Sequence, residues 1–127
     1  MNTSQQIMLI TTRSSDFSDF VARIQSSGKT VVQVATAQEA IDGVAKTAPA
    51  MAIIDDMVEA VSGMEITRRL LQINAFINTA LVSDMDDDMF HEKSEGLGVL
   101  TKLPKTPGAV DAEALLGLLE QLNITLT

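Results

Sequence analysis

Short apolar runs alternate along the chain with longer segments in which apolar residues recur at helical spacing. Each run is too short for a helix and suits a strand that is buried on both faces of a sheet. The five runs are Ile7–Ile10, Val31–Val34, Met51–Ile54, Thr79–Val82 and Gly98–Lys102. Because they alternate with helical segments through short connections, they predict an α/β fold with a doubly wound, five-stranded parallel sheet.

The segments between and after these runs predict about five helices. Ser14–Asp16 supply capping oxygens for the first helix, and Ser62-Gly63 opens the third. Four amphipathic stripes lie at Phe17–Ile24, Ala40–Val44, Met64–Ile73 and Val110–Leu122, and a polar, Asp-rich helix is predicted at Asp86–Glu95. Helices on successive connections would cover both faces of the sheet.

Length and composition fit one domain. Domains cluster around roughly 100–150 residues, and this chain has 127, of which 46% are hydrophobic. We therefore expect residues 1–127 to form a single domain with an aliphatic core. The absence of cysteine excludes disulfides and thiolate metal sites, which fits a reducing compartment.

The charge pattern narrows the classes of partner. The net charge is −8, and the nine Lys and Arg residues are scattered rather than clustered. A phosphate backbone requires clustered cations, so direct nucleic-acid binding is not expected. The sequence shows neither a signal peptide nor an apolar run of about eighteen residues, so we expect a cytoplasmic chain without membrane contact.

Three predicted strand ends carry a carboxylate, a hydroxyl and an ammonium group. Asp55 follows the third run, Ser83 follows the fourth and Lys102 ends the fifth. Function in open α/β sheets collects at the carboxyl ends of the strands, near the point where strand order reverses. A carboxylate between a hydroxyl and an ammonium group is an oxygen nucleophile suited to phosphoryl transfer. The three side chains are therefore expected to converge in one shallow hollow.

Four stretches resemble the receiver domains of response regulators in order and spacing. Pro49–Val58, followed by Ser62–Glu65, resembles the third strand and the loop after it, and Leu81–Ser83 resembles the fourth strand with its switch hydroxyl. Leu100–Lys102 resembles the fifth strand with its lysine. The resemblance spans essentially the whole chain and implies a flavodoxin-like, CheY-like (βα)5 fold.

The resemblance also implies roles in a two-component phosphorelay. Asp55 would be the phosphoacceptor, Ser83 the switch hydroxyl and Lys102 the phosphoryl contact. The implied partners are a histidine kinase or phosphotransfer protein and a downstream protein or effector domain. No enzymatic activity is implied beyond the domain's part in its own phosphorylation.

The sequence departs from the receiver pattern at the end of the first strand. Receivers carry two acidic, magnesium-binding residues there, whereas this chain has Thr11, Thr12 and Arg13. Mg²⁺ requires near-octahedral oxygen ligands, and the remaining candidates are Asp55 and the backbone carbonyl of Met57, so we expect weak affinity and no firmly bound cofactor. Two placements of Arg13 stay open: it extends into solvent from a surface loop, or it replaces the charge of the metal by pairing with Asp55.

Three interpretations of the function follow. The first is a receiver that is phosphorylated on Asp55, with impaired dependence on Mg²⁺. The second is a degenerate pseudo-receiver that works as a phosphorylation-independent interaction module. The third is a small-ligand site at the same strand ends, which the lack of a Gly-rich loop after the first strand disfavours. The sequence leaves open the cognate kinase, the output, the oligomeric state and whether the chain stands alone.

Overall fold

The computed structural model describes residues 6–126, and it describes side chains as far as residue 122. Residues 1–5 and 127, the ends of the predicted domain, lie outside the described residues. In the described part of the chain, no helix is long and apolar enough to cross a membrane.

The sheet confirms the predicted doubly wound α/β architecture. Its strands are β1 (Gln6–Ile10), β2 (Thr30–Val34), β3 (Met51–Ile54), β6 (Thr79–Val82) and β7 (Thr101–Leu103). They pair in the order β2-β1-β3-β6-β7, and every pairing is parallel. The strand order reverses between β1 and β3, so the carboxyl ends of these two strands flank the switch point of the fold.

Five α-helices connect or follow the strands within the described range. Their bounds are α1 (Ser18–Ser26), α2 (Ala37–Lys46), α3 (Gly63–Ile73), α4 (Asp87–Lys93) and α5 (Ala109–Leu126). Side chains close three of the N-termini, because Thr36, Ser62 and Asp86 accept hydrogen bonds from Glu39 N, Glu65 N and Met89 N.

Two hydrophobic cores lie on opposite faces of the sheet. Alternate strand residues supply the two cores, since successive side chains in a strand point to opposite faces. One core joins the strands to α1 and α5 through residues such as Phe20, Ile24 and Leu115. The other joins them to α2, α3 and α4 through residues such as Val44, Leu70 and Phe90.

The structure differs from the predicted elements in several details. Ser14–Phe17 form a 3₁₀ turn before α1, and neither the turn nor α1 has a side-chain cap hydrogen bond, so the predicted capping by Ser14–Asp16 is wrong. The fifth strand is Thr101–Leu103 rather than Gly98–Lys102, because the ladder that pairs Val82 with Leu103 sets its position. A short hairpin of β4 (Met57–Val58) and β5 (Val61–Ser62) was not predicted. The Asp-rich helix is Asp87–Lys93, three residues shorter than Asp86–Glu95, because Asp86 is its N-cap and Ser94 its C-cap.

Gly63 brings the start of α3 against the end of β3. Its amide donates to the carbonyl of Asp56 at 2.8 Å. A Cβ at this position would collide with the backbone oxygen of Asp55 and lie 2.9 Å from Leu81 Cδ2. Only glycine therefore allows α3 to approach the strand end at this distance.

We expect Gly63→Ala to lower the free energy of unfolding by roughly 1–3 kcal/mol, because overpacking against backbone forces α3 away from β3. Gly117→Ala is the matched control, since a Cβ at this helical glycine meets open space. The control should raise the free energy of unfolding by about 0.5–1 kcal/mol. Urea unfolding measures both, and equal effects of the two substitutions would contradict the close approach at Gly63.

Candidate functional site

The ends of β1 and β3 place Thr11 and Asp55 side by side. The backbone ladder continues one residue beyond each strand, because Thr11 N donates to Val34 O and Asp55 N donates to Ile10 O, both at 3.0 Å. Both residues are buried, and the Asp55 side chain is fully inaccessible to solvent. The switch point of the sheet therefore holds a buried carboxylate.

The Asp55 carboxylate accepts four hydrogen bonds. Oδ1 accepts from Arg13 Nη2 at 2.8 Å and from the backbone N of Asp56 at 2.9 Å. Oδ2 accepts from Thr11 Oγ1 at 2.7 Å and from Arg13 Nε at 2.9 Å. An ionised carboxylate has about four lone-pair sites, so the acceptor capacity of Asp55 is filled.

Of the two placements that the sequence left open, the structure has Arg13 paired with Asp55, and other groups hold the guanidinium as well. Its Nη2 also donates to the carbonyl of Lys105 at 2.9 Å, and its Nη1 pairs with Asp16 at 3.0 Å. The guanidinium carbon lies 5.2 Å from the ring centre of Phe17, in the range of a cation–π contact. The guanidinium therefore bridges the first and third strand ends, and it does not extend freely into solvent.

The pKa of Asp55 lies below its ordinary value of 3.8 in this setting. Burial by itself raises the pKa, but the hydrogen bonds from Arg13, Thr11 and Asp56 N outweigh burial and favour the ionised form. Asp55 in turn raises the pKa of Arg13 by hydrogen bonding to it. The two side chains form a permanent ion pair at neutral pH.

A second cation, Lys105, was missed by the sequence interpretation. Its Nζ lies 2.9 Å from Asp56 Oδ2, and that hydrogen bond raises the pKa of Lys105. The signal in the sequence was a lysine just past Pro104, beyond the predicted strand end. Asp55 and Asp56 are therefore each paired with a cation, Arg13 and Lys105.

Within the described residues, Lys102 and Ser83 form no hydrogen bond with the Asp55 carboxylate, and Lys102 forms no ion pair with it. Lys102 Nζ donates to the carbonyl of Met85 at 2.6 Å and pairs with Asp87 at 3.0 Å. The Ser83 hydroxyl accepts from the backbone N of Met85 at 3.1 Å. Asp55, Ser83 and Lys102 do sit at neighbouring strand ends, but the last two hold the loop before α4.

The residues at this edge do not fit a magnesium ion. No group of three or more His, Asp or Glu side chains is arranged to hold a metal within residues 6–122. The Arg13 guanidinium donates to both oxygens of Asp55, and Thr12 is exposed and makes no side-chain hydrogen bond within the same range. Met57, whose carbonyl was the other candidate ligand, lies in the β4–β5 hairpin. Mg²⁺ would have to displace a bidentate arginine.

Removing Arg13 should destabilise the fold because it leaves Asp55 buried and short of two charge-assisted hydrogen bonds. We expect Arg13→Ala to lower the free energy of unfolding by about 3 kcal/mol. Breaking a buried ion pair costs roughly 3–5 kcal/mol, and the lower end of that range applies because the Arg13 side chain is 28% exposed. Arg23→Ala, which breaks an exposed pair with Glu113 at 3.3 Å, should change it by about 1 kcal/mol or less. A double-mutant cycle with Asp55→Asn isolates the Arg13–Asp55 coupling, and additive effects would contradict it.

Stability should also depend on the ionisation of Asp55. Because its pKa is lowered by folding, the unfolded chain takes up the proton first as the pH falls. The ionised form therefore stabilises the fold above the ordinary pKa of 3.8, and this stabilisation is lost as the pH falls through the lower folded value. The stability difference between the wild type and Asp55→Asn should shrink from about pH 6 to about pH 3. A constant difference would refute this role.

Neither a protein-family model nor a curated protein matches the sequence. Solved structures do match its fold. The signal receiver domain of a LuxO repressor protein from Vibrio parahaemolyticus superposes with a TM-score of 0.82 at 15% identity, covering 96% of this chain and 95% of that one. A CheY-like receiver domain protein from Methanospirillum hungatei gives 0.78 at 14% identity, covering 96% and 98%.

A longer protein shows the same likeness. NtrX from Brucella abortus gives a TM-score of 0.81 at 11% identity, and the match covers 94% of this chain but 28% of the NtrX chain. At these identities the matches report the shared architecture of the sheet and helices. Together with the observed strand order, they show that this chain has the receiver, or CheY-like, fold of response regulators.

Proposed function

We propose that this chain is a receiver-fold domain that acts in two-component signalling as a phosphorylation-independent protein-interaction module. The saturated carboxylate of Asp55 is the observation that carries the proposal. Arg13 holds the acidic site in a fixed state that needs neither a metal nor a phosphoryl group. Interaction with partners would then depend on surfaces that are always presented.

Saturation matters because a carboxylate attacks phosphorus through a free lone pair. Each lone-pair site of Asp55 already accepts a hydrogen bond, and two of the donors belong to a guanidinium group. Hydrogen bonds to charged groups contribute roughly 1.5–3 kcal/mol each, so freeing an oxygen is costly. The lowered pKa also makes the carboxylate a weaker base and a weaker nucleophile.

The predicted stabilisers of a phosphoryl group are engaged elsewhere. Lys102 is bonded to Met85 O and Asp87, and the Ser83 hydroxyl accepts from Met85 N. A phosphoryl group on Asp55 would therefore require Arg13 to leave the carboxylate and Lys102 to leave Met85 and Asp87. This requirement favours a fixed module over a phosphorylated switch.

The alternative function is a phosphorylated receiver, in which Asp55 accepts the phosphoryl group from the phosphohistidine of a kinase or phosphotransfer protein. The receiver fold and the place of Asp55 after β3 support it. In both interpretations the partners are proteins of a two-component pathway, the domain spans residues 1–127 and it works in the cytoplasm.

Intact-mass measurement after incubation with acetyl phosphate and Mg²⁺ separates the two functions. We expect no added phosphoryl mass on the wild type, because Arg13 and Thr11 occupy the attacking oxygens and no magnesium site is formed. A receiver with a complete acidic pocket, treated in parallel, verifies that the donor is active. Asp55→Asn is the control for the site of any adduct.

NMR spectra of the wild type provide a second measurement that separates the two functions. Addition of beryllium fluoride with Mg²⁺, which mimics a phosphoryl group on a carboxylate, should leave the amide resonances of Thr11, Asp56 and Ser83 in place. A stoichiometric adduct that disappears in Asp55→Asn, or large shifts at these amides, would refute the fixed module and support the phosphorylated receiver.

A further inference from the structure

A small apolar pocket lies beside the acidic site, between α3 and the loop that precedes α4. Its cavity volume is about 110 Å³. Five apolar and three polar residues line it: Met64, Leu81, Val82, Met85, Phe90, Asp56, Ser62 and Ser83. Leu81 and Phe90, which belong to the core on this face of the sheet, are almost fully buried, whereas Met64 and Met85 are half-buried.

Ser83 and Lys102, which make no hydrogen bond with Asp55 in the described part of the chain, hold the backbone of the lining residue Met85. The Ser83 hydroxyl accepts from Met85 N, and Lys102 Nζ donates to Met85 O at 2.6 Å. Both backbone groups of Met85 are thus fixed from the strand ends. The pocket is preformed, which reduces the entropic cost of binding a partner.

The size of the pocket fits one apolar side chain. An apolar cavity of about 150 Å³ accommodates a benzene-sized molecule, and this pocket is somewhat smaller. Methionine rims suit such a role, because the unbranched thioether chain adapts its shape to the group that enters. Two further methionines, Met57 and Met89, are 49% and 43% exposed on elements next to the pocket, the β4–β5 hairpin and α4.

Acidic residues outnumber basic ones around the pocket. Asp84 lies in the chain between the lining residues Ser83 and Met85, and Asp86, Asp87 and Asp88 follow at the start of α4. The neighbouring cations Lys102 and Lys105 are already paired with Asp87 and Asp56. Within the described residues, Asp84 and Asp88 make no ion pair within 4 Å, although the charge of Asp84 contributes to the raised pKa of Lys105. With five aspartates and two lysines, the rim carries a net negative charge.

We infer that this pocket, with its acidic rim, is a docking site for a protein segment that carries one aliphatic or methionine side chain between basic residues. This inference rests on the proposed interaction module and names its class of partner. The side chain fills the cavity against Leu81 and Phe90, and the flanking Lys or Arg residues face Asp84 and Asp88. Ser83 and Lys102 are positioning residues, because they act on the partner through Met85.

A phage library of random linear peptides, selected on the full chain, tests the inference without knowledge of the natural partner. We expect the selected peptides to share a Leu, Ile or Met flanked by Lys or Arg. The best peptide is then synthesised, and fluorescence anisotropy measures its affinity. Met64→Trp fills the pocket and should weaken binding by roughly tenfold or more, the value of one buried aliphatic side chain.

Matched variants separate docking from loss of the fold. Ile73→Trp adds the same bulk on the same helix but outside the pocket lining, and it should leave affinity unchanged. Asp84→Lys alters only an exposed charge and should weaken binding and flatten its salt dependence, whereas Glu120→Lys, an exposed charge on α5, should do neither.

Three results would overturn the docking site. They are a library that yields no binding peptide, a consensus without basic residues, and affinity that is equal for Met64→Trp, Asp84→Lys and the wild type. None of them bears on whether Asp55 is phosphorylated, which the mass measurement decides independently. A phosphoryl adduct on Asp55 would contradict the proposed function, whereas the peptide measurements would still decide whether the docking site exists.

Discussion

The bidentate ion pair between Arg13 and Asp55 organises the carboxyl edge of this sheet. A fully buried carboxylate is tolerated only when its charge is compensated and its lone pairs are satisfied. Arg13 meets both requirements at once, together with Thr11 and the amide of Asp56. The pair also ties the loop after β1 to Lys105 beyond β7, through the carbonyl that accepts from Arg13 Nη2.

Under the proposed function, this pairing separates the architecture of a receiver from its phosphorylation chemistry. The strand order, the cores on both faces of the sheet and the switch point are those of the receiver fold. The positive charge beside Asp55, however, belongs to the side chain of Arg13. Lys102 and Ser83 are consequently available to brace Met85. The same edge of the sheet thus holds a sealed carboxylate and, beside it, a preformed apolar pocket.

The sequence predicted best the elements whose position depends on a local pattern of apolar residues. Met51–Ile54 and Thr79–Val82 match β3 and β6 because each is a continuous apolar or β-branched run whose residues are all buried. The direction of Lys102 depends instead on sheet register. It pairs with Leu81, so it shares the face of the sheet that packs against α4, and there it reaches Met85 and Asp87. The Arg13–Asp55 contact was predictable because both residues follow adjacent strands, whereas Lys105 reaches Asp56 through an irregular loop that no periodicity specifies.

The state of the Asp55 carboxyl tests this account most directly. Its carboxyl carbon can be followed by ¹³C NMR while the pH is lowered, with Mg²⁺ added at neutral pH in a parallel sample. The account predicts an inflection below the ordinary pKa of 3.8 and no response to Mg²⁺, because Arg13 already occupies the carboxylate. An inflection at or above 3.8, or a saturable shift with Mg²⁺, would show that the ion pair does not close the site.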